Sequence, residues 1–118
     1  MIPLGSATRI FLALGPTDMR QGFEGLADRV RHQFQEDPDS GHLFVFCNRR
    51  RNRLKILYAD SSGLWLCSKR LYQGAFSWPA AAPDLGPKII LSAETLALLL
   101  GGVELERTRQ KDWWRRAA

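Results

Sequence analysis

Several features that would define a class of protein are missing from this 118-residue sequence. It has no apolar run near eighteen residues, so no membrane-spanning segment is predicted. The first residues lack the basic start and long apolar stretch of a signal peptide, so a cytoplasmic location is expected. Only two cysteines are present, Cys47 and Cys67, without a CxxC pair. A disulfide framework or a thiolate metal site is therefore not predicted, and we expect both thiols to be reduced.

Groups suited to catalysis are also scarce. His32 and His42 have no serine or cysteine nucleophile placed near them by sequence spacing, and no glycine-rich phosphate loop occurs. The acidic residues that a metal-dependent nuclease could use stand at predicted turns or helix caps: Asp18, Asp39, Asp60 and Glu94. The sequence therefore predicts no catalytic residue, no metal site and no cofactor, and we expect a protein that is not an enzyme.

What the sequence does contain is enough apolar material for one core. Hydrophobic residues make up 45% of the chain, as in a globular protein of a single domain. No interdomain linker or internal repeat is visible. We predict one α+β domain over residues 1–106, followed by a basic, tryptophan-containing tail over residues 107–118.

One long helix is predicted from apolar spacing. Positions three and four residues apart form a single stripe: Met19, Phe23, Leu26, Ala27, Val30 and Phe34. With Thr17 as N-cap and Asp18 in the first turn, the pattern predicts a helix over Thr17–Gln35. Its apolar stripe is expected to be buried against a sheet.

Strand patterns account for most of the remaining chain. The apolar or alternating segments are Thr8–Leu14, Leu43–Cys47, Arg53–Asp60 and Leu64–Leu71, with Gln73–Pro79 as a short edge strand and Lys88–Leu91 as the last. Ser92 is expected to cap a short C-terminal helix. The predicted fold is a small, mostly antiparallel sheet packed against one long helix, with a three-stranded meander from residue 43 to residue 71.

Positive charge is concentrated in two places. The net charge is +5, yet residues 47–75 hold seven basic residues against Asp60 alone, and the tail holds five against Asp112. The candidate nucleic-acid-binding residues in the meander are Arg49, Arg50, Arg51, Arg53, Lys55, Lys69 and Arg70. A polyanion would offset their mutual repulsion, because each neutralised phosphate releases counterions. The alternative is a solvated hairpin tip whose charge keeps the protein soluble.

The tail adds a second candidate surface. Trp113 and Trp114 stand together among lysine and arginine residues. Aromatic rings beside cations suit base stacking or an anchor for a protein partner. Alternatively, one tryptophan folds back over the core and the arginines are solvated.

Several blocks of the sequence, read together, resemble one known family. They run in order along nearly the whole chain up to Glu104: residues 17–26, 37–46, 48–50, 55–58, 69–71, 76–79 and 98–100. In these blocks the chain is similar to the accessory protein TnpB (Orf2-like) of bacterial insertion sequences of the IS-sixty-six type. Members usually carry a glycine in the hairpin turn where this chain has Arg51-Asn52, and the tail lies outside the resemblance.

The resemblance implies a small cytoplasmic protein of a mobile element that acts alongside a transposase in DNA transposition. It brings no catalytic residues with it. One hypothesis is a non-catalytic accessory factor that binds nucleic acid, namely DNA, through the basic hairpin, with Arg20 adding to the site. The alternative is an adaptor that docks the transposase through Trp113 and Trp114 without contacting DNA. The sequence does not define an oligomeric state.

Overall fold

A computed structural model describes Gly5, residues 7–102 and the backbone of residues 114–116. Its elements, in chain order, are β1 (Ile10–Ala13), α1 (Phe23–His32), β2 (Leu43–Cys47), β3 (Arg53–Ala59), β4 (Leu64–Arg70), a short 3-10 turn (Pro83–Leu85), β5 (Lys88–Leu91), α2 (Ala93–Leu100) and β6 (Trp114–Arg116). Neither helix in the described part of the chain has the length and apolar character needed to cross a membrane.

The strands form one sheet in the order β4-β3-β2-β1-β5-β6. Strands β1 and β2 are parallel, joined through α1 as a crossover connection requires, and the other neighbours are antiparallel. Five strands come from residues 10–91, and the backbone of residues 114–116 pairs with β5 at one edge. The predicted α+β class with a mostly antiparallel sheet is confirmed.

The predicted meander of β2, β3 and β4 is also confirmed. Cys47 pairs with Leu54 on β3, whereas Cys67 on β4 pairs with Ile56. The two cysteines therefore lie on either side of β3, and both are free thiols. Cys47 is buried, and desolvation raises the pKa of its thiol to about 11, so it acts as a core residue rather than a nucleophile.

Side chains alternate between two apolar layers on the two faces of the sheet. Helix α1 covers one face, whose buried residues are Phe11, Ala13, Leu26, Ala27, Val30, Phe34, Phe44, Phe46 and Leu57. Helix α2 and residues 71–87 cover the other face, where Leu96, Leu99 and Phe76 pack over Leu12, Val45 and Ile56. The period-two alternation of each strand explains why neighbouring residues serve different cores.

The prediction of one long helix over residues 17–35 is wrong in its bounds. Helix α1 has ten residues, its N-cap is Gly22, and Thr17 does not cap it. Phe23 is 48% exposed instead of buried, and Met19 is only partly buried. The stripe is buried as predicted at Leu26, Val30 and Phe34.

Tertiary hydrogen bonds explain why the helix begins late. Thr17 is buried, and its hydroxyl accepts a hydrogen bond from Arg29 Nη1. Asp18 Oδ1 accepts from Arg20 N at 2.9 Å, which forms a local turn. The carbonyl oxygens of Met19 and Gln21 accept from a lysine of β3 rather than from helical N–H groups. Residues 17–22 therefore form a loop before α1.

The C-terminal end of α1 stops before Gln35 for a local reason. Phe34 N donates to Arg29 O at 3.1 Å and Glu36 N donates to Val30 O at 3.0 Å, which closes the last turn. Gln35 has a φ of 55°, in the left-handed region that ends helices. The apolar contact of Phe34 with the sheet is kept although the helix has already ended.

Two further predictions have opposite outcomes. Ser92 caps α2, since its Oγ accepts from Thr95 N at 3.1 Å, as predicted. Residues 73–79 do not form a strand. Gly74 has a φ of 77°, and Trp78 Nε1 donates to Ala13 O at 2.8 Å, so this segment folds over the sheet.

Candidate nucleic-acid interface

The turn between β2 and β3 is organised by one side chain. Asn48 Oδ1 accepts from Asn52 N and from Arg53 N, each at 3.1 Å, and Asn48 Nδ2 donates to Asn52 Oδ1 at 2.7 Å. Asparagine is suited to this role because its carboxamide reaches the backbone a few residues ahead. The residue in the left-handed region is Arg51, with a φ of 60°, rather than Asn52.

The turn between β2 and β3, residues 48–52, is termed here the basic turn. Arg51 points inward although it lies at the tip of this turn. Its Nη2 donates to Leu14 O at 3.2 Å, and its guanidinium carbon lies 5.2 Å from the centre of the Trp78 ring. Its Nη1 is buried and has no hydrogen-bond partner among the described residues. Of the predicted phosphate ligands, Arg51 is therefore placed as a link between the turn and the rest of the fold.

The two predicted lysines are likewise engaged within the chain. Lys55 Nζ donates to Met19 O at 2.7 Å and to Gln21 O at 2.9 Å, so it holds the loop before α1. Lys69 Nζ donates to Leu100 O at 2.6 Å, at the end of α2. Because Lys69 neighbours Arg70 on a strand, it faces the opposite side of the sheet. The structure therefore separates Lys69 from Arg53, Lys55 and Arg70, which share the other face.

Five of the seven predicted cations are exposed; Lys69 is one of them, and the other four are the arginines Arg49, Arg50, Arg53 and Arg70. Their guanidinium groups make no hydrogen bond or ion pair within the part of the chain that the structure describes. Arg53 and Arg70 lie directly opposite each other on β3 and β4. Like charges at such a pair destabilise a sheet, so folding gains nothing from this arrangement.

An open cleft of about 480 Å³ lies where the loop before α1 meets the basic turn. Its lining residues are Thr17, Asp18, Met19, Arg20, Asn48, Arg49, Arg50, Asn52 and Arg53. The sequence had suggested Arg20 as an addition to the site, and the structure places it here. The cleft brings together cations from segments about thirty residues apart.

Among the described residues, Asp18 is the one carboxylate that lines this cleft, and Arg20 neutralises it. Arg20 Nη2 donates to Asp18 Oδ2 at 2.7 Å, while the side chain of Arg20 stays 92% exposed. The hydrogen bonds from Arg20 lower the pKa of Asp18 to about 2, so the carboxylate is ionised at neutral pH. Arg49, Arg50 and Arg53 are left as uncompensated positive charge in the cleft.

Two further candidates, Asp60 and His42, serve local structure. Asp60 accepts from Ser62 N, Gly63 N and Trp65 Nε1 in the turn between β3 and β4. His42 Nδ1 accepts from Arg9 N at 3.0 Å. Within the described ranges, no three His, Cys, Asp or Glu side chains cluster as a metal site requires.

Sequence reasoning did not identify Asn48 as the organiser of the turn. A signal was available, because an asparagine at a strand end commonly accepts backbone hydrogen bonds two or more residues ahead. The predicted partner-binding residue Trp113 lies outside the described residues. Of Trp114 only the backbone is described, and it pairs with Leu91.

Comparison with known proteins gives one family and two relatives. The sequence model of the family described as "IS66 Orf2 like protein" matches residues 8–110. The chain is 41% identical to the uncharacterized protein y4hO of Sinorhizobium fredii, over 96% of this chain and 95% of that protein. It is 35% identical to the uncharacterized protein y4jC of the same organism, over 94% and 92%. No solved structure matches the chain.

Proposed function

This chain belongs to the family of IS66 Orf2-like proteins, and from that premise we propose that it binds the phosphate backbone of DNA as a non-catalytic accessory protein of transposition. The family indicates the accessory role in transposition. Contact with nucleic acid is the step that we add. It follows from which cations the folded chain leaves unpaired.

The observation that carries the proposal is the group Arg49, Arg50, Arg53 and Arg70, termed here the basic cluster. All four side chains are exposed at one end of the sheet, and none is paired within the described residues. Arginine presents a planar fork of donors that fits phosphate oxygens, and a phosphate backbone would relieve the repulsion inside the cluster.

The geometry favours contact with the backbone over base reading. The cleft is open, and its cations stand on the loop before α1, on the turn between β2 and β3, and at the start of β3. Within the described part of the chain, no helix lines the cleft where it could reach base edges in a groove. Phosphate contacts fix position and carry little sequence information, so we expect weak sequence preference.

The test compares two double variants with the same change in charge. Arg49→Gln/Arg50→Gln removes half of the basic cluster, whereas Arg9→Gln/Arg31→Gln removes two exposed arginines that do not line the cleft. Binding of labelled DNA is measured by fluorescence anisotropy at several salt concentrations. Four phosphate contacts predict a slope of log affinity against log salt of about −4 for the unchanged protein. Loss of two contacts should make the slope of the first variant less steep, at about −2.

The outcomes separate the proposal from the adaptor hypothesis. The control variant should keep a slope near that of the unchanged protein. Absence of binding to any nucleic acid at low salt would eliminate the proposal. Capture of the transposase that persists after nuclease treatment, together with that absence, would support an adaptor.

The non-catalytic part of the proposal has its own test. Purified protein with magnesium or manganese should leave supercoiled, linear and single-stranded DNA uncut. Metal-dependent cleavage that Asp18→Ala or Asp60→Ala abolishes at unchanged stability would identify an enzyme instead.

A further inference from the structure

Tyr72 is an aromatic residue whose side chain is not buried by the fold. Tyr72 is 99% exposed, whereas Phe23 and Trp65, the other large apolar side chains on the described surface, are each about half buried. Trp65 also donates to Asp60 Oδ2 at 2.6 Å and stacks on Tyr58. Tyr72 makes no hydrogen bond or ring contact within residues 7–102.

The position of Tyr72 relates it to the basic cluster. It follows the end of β4 by two residues, and Arg70 at that end is paired with Arg53. Leu71 N donates to Asn52 O at 2.9 Å, which ties the residue before Tyr72 to the basic turn. The ring is therefore carried on backbone that adjoins the cations.

The loop that carries Tyr72 is anchored to the same turn at its other end. Phe76 N donates to Arg51 O at 2.6 Å, and the Phe76 side chain is buried. Both ends of residues 71–76 are thus bound to consecutive residues of the basic turn. Because the backbone of this loop is already anchored, stacking of the Tyr72 ring on a ligand costs less conformational entropy than it would on a free loop.

We propose that Tyr72 is a stacking platform for an unpaired base, so that the site prefers single-stranded or unpaired nucleotides to a continuous duplex. The inference rests on the proposed function, since the basic cluster would hold the adjoining phosphates. Bases within a duplex stack on each other, whereas an unpaired base offers a free face to an aromatic side chain. Contact with duplex phosphates alone requires cations and does not explain an exposed aromatic ring beside them.

The experiment measures affinity for a labelled single strand and for a duplex of the same length at one salt concentration. Tyr72→Ala should weaken single-strand binding roughly tenfold, with duplex binding little changed. Tyr72→Phe keeps the ring and should bind as the unchanged protein does. The control is Phe23→Ala, which removes an exposed ring beside the β3–β4 turn, at the opposite end of β3.

The results distinguish this inference from the proposed function. If Tyr72→Ala changes neither affinity, or lowers both equally, while Arg49→Gln/Arg50→Gln still weakens binding, the platform is wrong and the basic cluster stands. If the unchanged protein binds neither strand form, both proposals fail. Because Tyr72 is wholly exposed, its replacement should leave the unfolding transition unchanged, which circular dichroism checks.

Discussion

The turns at the two ends of β3 use the same device, a side-chain oxygen that accepts two backbone N–H groups. Asn48 Oδ1 does so in the basic turn, and Asp60 Oδ1 does so in the turn before β4. At the second turn the carboxylate of Asp60 accepts hydrogen bonds from its own turn and from Trp65 Nε1, so its charge is stabilised within the fold. At the first turn the organising group is the neutral carboxamide of Asn48. The charged side chains of Arg49, Arg50 and Arg53 have no partner there among the described residues.

The difference teaches how structural and functional charge can be told apart in this fold. A charge that the fold requires has short contacts with backbone carbonyls, as Lys55 and Arg51 do. A charge that the fold does not require is exposed and repels its neighbours, as at Arg53 and Arg70. We look for function among the exposed, unpaired charges, because the stability of the fold does not explain why they are there.

Asn48→Ala should produce the largest effect on this comparison. It removes three hydrogen bonds of the turn and leaves two backbone N–H groups without their acceptor. We expect a loss of about 2–3 kcal/mol in the free energy of unfolding, measured with urea. Asn48→Asp keeps the oxygen acceptor and serves as the control. A loss below about 0.5 kcal/mol in Asn48→Ala would show that the turn does not depend on this side chain.

Arg51→Ala and Arg50→Ala should separate two arginines that are adjacent in sequence. Arg51→Ala loses the bond to Leu14 O and the contact with Trp78, and should cost about 1–2 kcal/mol of stability. Arg50→Ala should change stability by less than about 0.5 kcal/mol and weaken DNA binding instead. Thermal unfolding and anisotropy measure the two properties. Equal destabilisation by both changes would contradict the division into inward and free arginines.

Asp60→Asn should give the smallest effect, visible in the pH dependence of stability. Hydrogen bonds from Trp65 and Ser62 lower the pKa of Asp60 to about 2, below that of an unfolded aspartate near 4. Its ionised form therefore stabilises the fold above pH 4, and this contribution is lost as the pH falls towards 2.

Urea unfolding between pH 6 and pH 2 checks this sign. The unchanged protein should exceed Asp60→Asn in stability at pH 6, and the difference should shrink towards pH 2. Asp39→Asn removes a carboxylate from another turn and controls for net charge. A difference that grows on acidification would show that the Asp60 carboxylate is not stabilised by its turn.

Local patterns in the sequence were sufficient for much of the fold. Alternating and continuous apolar segments predicted the meander, and Ser92 predicted the start of α2. The same reasoning extended α1 too far, because Met19 and Phe23 continue the apolar spacing although Gly22 caps the helix. Periodicity reports which residues could share a face. It does not reveal that the carbonyl oxygens of Met19 and Gln21 accept hydrogen bonds from Lys55 Nζ instead of from helical N–H groups.

By itself, the sequence determined the antiparallel meander and the end of the sheet where positive charge collects, because these depend on residues near one another along the chain. Only the tertiary structure decided which cations stay free. Arg51, Lys55 and Lys69 bind carbonyl groups 31 to 37 residues away. Arg49, Arg50, Arg53 and Arg70 meet no such acceptor in the described residues. Whether a cation is used by the fold depends on carbonyls that only the folded chain brings within reach.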